Sequence, residues 1–561
     1  MTDQAAGVRG LLATLVAGGL RHLVISPGSR STPLVQAAAE RPELTLHVVL
    51  DERAAGFFAL GLARTTHALC GTLCTSGSAA AHVLPAAIEA TEAGDALVAI
   101  TADRPAAARG LGAPQAILQP GLLAPYAHVF AEIAAGDADL PAQLLALQQA
   151  LTDLPTTGGV AHVNVPLSLP LALTVGEPAP LPPPLTAALP PPGPAILPPQ
   201  PNERVLVLAG PLPRDPDVLA WVAPRLASGQ VVLLAEPASR LRDALPGVRH
   251  ADAYLRDPDV RAALLPDRVV RLGAWPVSKG AQLLLEDAKR LGVPVDVVQP
   301  RRVSDPLRQN RQTLLDAVAM ALRDWPQPAD VLAPSPWQRR WRTVDAAILA
   351  PPDGWHEAAA VKALAGALPA GSTLLLGNSM PVRDWDSFAP PLAADVEVEV
   401  SRGAAGIDGA LATLAGLAVG RQCQATAYLG DCTFLHDVGS LQILAGRQLR
   451  HAGVRLCVAD NDGGAIFDYL PARTAMAEAL HVACFTAPHG LDLPRIASGF
   501  GVTTRVCSDL ASWIAALAQP LAAGEVQLLV ARFDRTASEA LHRAYWREAA
   551  MAARAALAGL P

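Results

Sequence analysis

The chain is poor in charge and in cysteine, and it lacks any long apolar run. Charged residues are 17% of 561 against 51% hydrophobic, with a formal net charge of −7. That balance excludes the broad basic surface that nucleic acid or an anionic membrane selects. No stretch of about 18 consecutive apolar residues occurs, which speaks against a membrane span. The apolar patch at 11–20 leads straight into a strand-like run and has no cleavage pattern, so it reads as a first helix. Seven cysteines, an odd number spread along the chain, make no disulfide framework and suggest reduced thiols and a cytoplasmic location. Cys70 and Cys74 have no second Cys or His pair to complete a metal site, and they read as core. What is present is ample core material for a large enzyme of about three domains.

Proline divides that material. It dominates 178–201, including Pro182-Pro183-Pro184 and Pro190-Pro191-Pro192, where neither helix nor sheet interior can form. A linker is expected over 178–202 and a second over 326–336, leaving blocks 1–177, 203–325 and 337–561. Each block alternates short apolar runs with Ala-rich helical stretches. The runs fall at 21–25, 69–74, 96–100 and 160–165, then 205–208, 231–234, 269–272 and 295–298, then 373–376, 396–400, 425–429, 454–458 and 526–530. Such alternation implies parallel sheets covered on both faces. The expected fold class is α/β, with three consecutive α/β domains of mostly parallel sheet.

The third block carries the chemistry-bearing spacing. Gly430-Asp431 follows one apolar run and Asn461-Asp462-Gly463-Gly464 follows the next. A hard cation takes oxygen ligands in a near-octahedral shell, sharing them between protein and phosphate. Asp431, the Asn461 amide oxygen and a nearby main-chain carbonyl suit a cation-bound diphosphate, which points to thiamine diphosphate. Alone, the same residues are equally a turn between two elements. A second half-site strengthens the cofactor reading: Asp51-Glu52-Arg53 follows the strand-like 47–50 and opens an apolar helical stretch at 54–64. Thiamine chemistry requires one carboxylate on the aminopyrimidine ring, largely desolvated so that it holds a proton near the working pH. The other reading of Glu52 is an acid favoured by the helix dipole.

Further segments carry a resemblance. They are Ser26-Pro27-Gly28-Ser29-Arg30-Ser31-Thr32-Pro33-Leu34, Thr75-Ser76-Gly77-Ser78, Thr101-Ala102-Asp103-Arg104-Pro105, Val277-Ser278-Lys279, Gly377-Asn378-Ser379-Met380-Pro381-Val382-Arg383, Ser401-Arg402-Gly403-Ala404-Ala405-Gly406-Ile407-Asp408-Gly409 and Pro488-His489-Gly490-Leu491-Asp492. With these the chain resembles the thiamine-diphosphate-dependent 2-succinyl-5-enolpyruvyl-6-hydroxy-3-cyclohexene-1-carboxylate synthases of menaquinone biosynthesis. The resemblance implies pyrimidine-binding, central and diphosphate-binding domains in that order. It also implies 2-oxoglutarate and isochorismate as substrates, and Mg²⁺ or Mn²⁺ beside the cofactor. By the same resemblance Glu52 activates the cofactor. Asp431, Asn461 and the Gly463 carbonyl hold the metal, with Gly430 beside the diphosphate. Ile407 is the wedge that bends the cofactor. Ile466, Phe467 and Leu470 form an apolar wall, although Ile466 and Phe467 also read as core. Ser29, Arg30, Arg104, Gln115, Lys279, Ser379, Arg383 and Arg402 correspond to substrate-contacting positions.

Arginine suits two dicarboxylate substrates, because its planar fork grips a carboxylate bidentately and stays charged when desolvated. Arg30, Arg104, Arg383 and Arg402 all lie just beyond predicted strand ends, where open α/β sheets bind ligands. Ser31 or Thr32 is expected to cap the helix after Arg30, with Pro33 in its first turn. Three positions depart from the family pattern: Pro114 stands where asparagine is frequent, Asp460 where asparagine is common, and Gly280 where some relatives have arginine. The resemblance further implies a homodimer or homotetramer with its active site between chains. Two rival functions remain: another thiamine-dependent 2-oxo acid decarboxylase or acetohydroxyacid-type synthase, and a non-catalytic dicarboxylate binder. The arginines argue against the first, and retention of both Glu52 and the metal residues against the second.

Overall fold

The computed structural model describes residues 4–560 apart from 67, 175, 188–194, 213–215, 300–303, 309, 315–317, 327, 329–332, 393–394 and 447–448. Parts of both expected linkers therefore lie outside the described residues. Three parallel sheets carry the fold. The first contains β1 (Leu20–Ile25), β2 (Thr45–Val48), β3 (Leu69–Cys74), β4 (Ala96–Asp103), β5 (Ala127–Glu132) and β6 (Gly159–Pro166), in the order β2-β1-β3-β4-β6-β5. The second contains β7 (Val205–Ala209), β8 (Val231–Ala235), β9 (Arg268–Leu272), β10 (Val295–Val298) and β11 (Asn310–Leu314), in the order β11-β10-β9-β7-β8. The third contains β12 (Thr373–Leu376), β13 (Glu397–Val400), β14 (Ala425–Gly430), β15 (Val454–Asp460), β16 (Thr503–Cys507) and β17 (Val526–Arg532), in the order β13-β12-β14-β15-β17-β16.

The outer sheets repeat one topology, since both run second-first-third-fourth-sixth-fifth. In each, the order reverses between the first and third strands, which opens a crevice at the strand carboxyl ends. The crevice of the first sheet takes the segments after β1 and β3, which hold Ser29, Arg30 and Gly77. That of the third takes the segments after β12 and β14, which hold Ser379 and Asp431. Central strands are buried on both faces: every residue of β3 and β15 is buried, as continuous apolar runs require.

One core joins the outer units. The helix Glu52–Thr66 lies against the helix Ala410–Arg421, and Phe57, Phe58, Leu411 and Leu414 share a single cluster with residues beneath both sheets. The middle sheet is covered partly from the third block. Trp337 and Trp341 of the helix Pro336–Ala346, and Tyr545 and Ala549 of the helix Arg535–Ala558, pack with Leu206, Val232 and Val269. Among the described residues no helix is long and apolar enough to cross a membrane. All seven cysteines are unpaired, and burial pushes the Cys70 thiol up to about 12, as its reading as core implies.

Candidate active site

The crevice of the first sheet gathers Ser29, Arg30, Glu52, Arg104 and Gln115. Arg30 is buried; its backbone N–H donates to Thr75 Oγ1 at 3.3 Å and its Nη1 to the Leu167 carbonyl at 2.8 Å. Thr32 begins the next helix with Pro33 in its first turn, but Ser31 does not cap it by side chain. Its hydroxyl turns back to the Gly28 carbonyl at 2.9 Å, which tightens the loop presenting Ser29, an exposed residue. Glu52 occupies the first turn of its helix and adds to the burial that pushes Cys74 up to about 12. It is half-buried. Arg104 Nη2 donates to the Pro114 carbonyl at 2.9 Å, and its Nε is buried without a partner. Gln115 is exposed at φ 56° against Gly77. The neighbouring Gln119, fully buried, braces this loop by accepting the Gly77 N–H at 2.9 Å and donating to Ala102 and Asn164.

The crevice of the third sheet places Asp431 at the carboxyl end of β14. Its Oδ2 accepts the N–H groups of Gly463 at 2.9 Å and Asn461 at 3.2 Å, and its Oδ1 accepts that of Cys432 at 2.6 Å. One carboxylate thus ties the segments at 430–432 and 461–463 together. Asp462 at φ 59° and Gly463 at φ 131° make the turn; a Cβ on Gly463 would run into the Thr486 carbonyl, so glycine is required. The Gly463 carbonyl accepts Ala465 N–H at 3.0 Å. Donor atoms of Asp431, Asp460 and His489 lie within 4.8 Å of one another. Burial first, and then the charge of Asp431, raises the Asp460 carboxyl above its ordinary range. His489 Nδ1 accepts the Leu491 N–H at 3.0 Å, which leaves its Nε2 proton to face Asp431 Oδ2 at 3.4 Å. Burial and Asp431 push the neighbouring Cys432 thiol up to about 12, so it offers no thiolate. Crowded carboxylates without a thiolate fit a hard divalent cation better than a soft one.

Around this turn stand the remaining residues. Ile407 is half-buried in a loop held at both ends. Asn378 Nδ2 donates to the carbonyls of Ser401 at 2.8 Å and Gly406 at 2.6 Å, while Glu89 accepts the N–H groups of Gly403 at 3.0 Å and Ala404 at 2.8 Å. Ile466 and Phe467 lie half-buried in the 3₁₀ turn Ala465–Tyr469, with Phe467 edge-on to Phe485; Leu470 beyond them is 45% exposed. Ser379 is strained at φ 74°, and its carbonyl accepts from Arg383 Nη1. Strain at Ser379, Ala405, Asp462 and Ala487 concentrates around this crevice, as at sites where geometry is imposed by function.

Arg383 and Arg402 lie close together. Burial lowers both guanidinium groups, and each lies in a field of carboxylates from the middle unit, Glu236 for both and Asp252 for Arg383. Arg402 Nη1 donates to Asn378 Oδ1 at 3.0 Å, while its Nε is buried without a partner. Lys279 opens the helix Lys279–Leu291 behind its cap Ser278 and is exposed, 3.7 Å from Glu286. Gly280 explains one departure: its N–H donates to Asp252 at 3.1 Å, and a Cβ there would meet the Ala251 and Asp252 carbonyl oxygens at 2.7 and 2.9 Å.

Within one chain, no hydrogen bond or ion pair among the described residues connects Ser29, Arg30, Glu52, Arg104 or Gln115 with Asp431, Asn461, Arg383 or Arg402. Sequence reasoning missed Glu89, Glu236, Asp460 and His489 as site residues. Glu236 follows an apolar run just as Asp431 does, and His489 lies inside a quoted family segment, so both signals were present. Glu89, in the middle of a helix, gave none.

A family model described as thiamine pyrophosphate enzyme, N-terminal TPP binding domain, matches residues 6–122. The chain is also similar, nearly end to end, to proteins named 2-succinyl-5-enolpyruvyl-6-hydroxy-3-cyclohexene-1-carboxylate synthase. That of Geobacillus kaustophilus is 33% identical over 96% of this chain and 97% of the relative. That of Chloroflexus aurantiacus is 34% identical over 96% and 95%, and that of Sorangium cellulosum 35% over 91% and 89%. Identity at this level across all three sheets shows that the chain is an enzyme and belongs to the 2-succinyl-5-enolpyruvyl-6-hydroxy-3-cyclohexene-1-carboxylate synthase family of thiamine pyrophosphate enzymes.

Proposed function

We propose that the chain decarboxylates 2-oxoglutarate and adds the remaining four-carbon unit, in conjugate fashion, to the ring alkene of isochorismate. CO₂ leaves, and the product carries a succinyl group. When bound, thiamine diphosphate supplies the carbon that takes up the oxo acid and stores the electron pair released with CO₂. Glu52 holds a proton at the aminopyrimidine. Asp431, Asn461 and the Gly463 carbonyl hold Mg²⁺ or Mn²⁺ on the diphosphate beside Gly430. Ile407 would pack against the bound cofactor. Ile466, Phe467 and Leu470 keep water from the reacting carbon, which favours loss of a charged carboxylate as neutral CO₂. Ser29, Arg30, Arg104, Gln115, Lys279, Ser379, Arg383 and Arg402 bind and orient the substrates' carboxylates, and the cationic groups stabilise the negative charge that spreads into the acceptor.

The observation that carries this reading is the pair Arg383 and Arg402, half-buried beside each other, with the Nε of Arg402 buried and left open. A small neutral acceptor gives no return for drawing two cations partly out of water, whereas a dicarboxylate does. That no described hydrogen bond or ion pair joins the Glu52 end to the Asp431 end within one chain accords with a site completed by a second copy, in a homodimer or a pair of homodimers. Exposed Leu46, Val48 and Leu50, just before Glu52, support the same arrangement. Pyrimidine-binding (1–177), central (203–325) and diphosphate-binding (337–561) domains belong to this proposal, with the helix Arg535–Ala558 seated on the central sheet. Seven unpaired thiols support a reducing, cytoplasmic setting.

A mass-spectrometric turnover assay with thiamine diphosphate and Mg²⁺, offering 2-oxoglutarate or pyruvate with and without isochorismate, tests it. The expected outcome is a succinyl adduct from 2-oxoglutarate plus isochorismate alone. CO₂ release from either oxo acid without adduct would move the chain to the decarboxylase reading, and no turnover would favour a binding protein.

A further inference from the structure

Glu236 follows β8 and is 1% exposed. Its Oε1 accepts the Ser278 N–H at 2.7 Å, while its Oε2 is buried with no hydrogen-bond partner among the described residues. A buried acceptor left open is destabilising, and more so when charged, unless a cation faces it. The cations are Arg402 and Arg383, which both feel Glu236 electrostatically. Neither spends a hydrogen bond on it: Arg402 Nη1 is used by Asn378, Arg383 Nη1 by Ser379, and Arg402 Nε is open. Burial raises the Glu236 carboxyl above its ordinary range, while the Ser278 N–H and the Arg402 charge work against that rise, so the carboxylate faces the cations without occupying their forks.

The surrounding segment is anchored on both elements that carry these arginines. Arg240 pairs with Glu397 at 2.7 Å and Glu399 at 2.5 Å on β13, which leads into Arg402. Arg242 pairs with Asp386 at 2.8 Å, both groups buried, in the helix Met380–Phe388 that carries Arg383. On the other side Glu236 and Asp252 hold the 277–280 turn, since Ser278 Oγ donates to Asp252 at 3.0 Å and Gly280 N–H at 3.1 Å. That turn presents Lys279. Glu236 thus stands between the two arginines of the third block and the turn that precedes Lys279.

We propose that Glu236 is a positioning residue for the acceptor's carboxylates: a buried counter-charge that keeps Arg402 and Arg383 side by side with open donors and registers the Lys279 turn against them. The inference rests on the reading of Arg383 and Arg402 as carboxylate holders in the proposed reaction.

Glu236→Gln keeps the shape and the acceptor for Ser278, removes the charge, and turns an amide N–H₂ toward the guanidinium groups. Two readouts decide. In peptide-resolved phenylglyoxal labelling of the full-length protein, Arg402 is expected to react about threefold faster or more in Glu236→Gln, because loss of a counter-charge eases deprotonation of a buried guanidinium. Arg30 and Arg104 are expected to be unchanged, and Glu236→Asp, which retains the charge, should restore most of the slow labelling. In steady-state kinetics, KM for isochorismate is expected to rise about tenfold while KM for 2-oxoglutarate stays within about twofold. The loss should be strongly non-additive with Arg402→Ala in a double-mutant cycle. Unchanged Arg402 labelling in Glu236→Gln overturns the role of Glu236 whatever the reaction. Equal rises in both KM values, or additive losses with Arg402→Ala, likewise reduce Glu236 to a structural part. A wild-type enzyme that forms no adduct sinks the proposed reaction instead, and the labelling still decides Glu236.

Discussion

At the scale of single residues, a histidine that no motif contains departs clearly from its sequence expectation. His542 is buried, with Nδ1 at 2.8 Å from the Ser538 carbonyl and Nε2 at 2.9 Å from Asp384 Oδ1. Two acceptors on one ring are satisfied together only by the imidazolium. Burial opposes that charge, but the bond to Asp384 and the nearby Glu357 carboxylate outweigh it, and the pKa stands raised at about 9. The folded value lies above the ordinary 6.5, so the stability contribution is fully present below about pH 6.5 and is lost as pH rises through 9. The loss amounts to something on the order of 3 kcal/mol. Wild-type urea midpoints should fall between pH 6.5 and 9, and His542→Gln should be less stable at pH 6.5 with that fall largely removed. A variant that keeps the wild-type slope would assign the pH dependence elsewhere. Asp431 and the arginines beyond strand ends were legible because a strand end is read from local pattern. The partners of His542 are 158 and 4 positions away, and only folding brings Asp384 against it.

At the scale of elements, every central strand was legible, whereas four of the six edge strands were missed or shifted. β5, β11 and β16 escaped the sequence reading, and β2 begins two residues earlier than the strand-like run at 47–50. All four lie at sheet edges, where one side lacks a neighbouring strand and the apolar run breaks up; β5 and β16 show many exposed or half-buried positions. The helix contact joining the outer units also needed the structure. Gly61 faces the Thr413 carbonyl and Gly416, and Gly416 faces the Phe58 carbonyl, so the helices Glu52–Thr66 and Ala410–Arg421 cross backbone to backbone. In either helix alone alanine would be favoured over glycine by about 1 kcal/mol. Here a methyl group meets backbone that cannot rotate away, and overpacking of that kind is destabilising by about 1–3 kcal/mol. Gly61→Ala and Gly416→Ala should therefore lower the urea midpoint. Gly366→Ala, in the helix Glu357–Ala367 with open space around it, should raise it. A gain at all three positions would show that the crossing yields without strain.

At the scale of the whole molecule, the two outer sheets share one topology, and each carries residues of the proposed site at the carboxyl ends of its strands. The helix behind Glu52 is tied to the third unit of its own chain, because Arg53 Nη2 donates to the His436 carbonyl at 3.0 Å. The tie fixes where Glu52 points relative to Asp431 of the same chain, and no described interaction bridges the two. If a second copy related by a two-fold axis completes the site, every dimer has two sites, each built from Glu52 of one copy and Asp431 of the other. Glu52→Gln and Asp431→Asn should each be inactive as pure assemblies. Co-expressed with different tags and selected for dimers carrying both, they assemble one site with both defects and one with neither. Activity should then return to about half of wild type per dimer, by counting intact sites under two-fold symmetry. A site closed within one chain gives each copy its own defect, and such mixed dimers would stay as inactive as the parents.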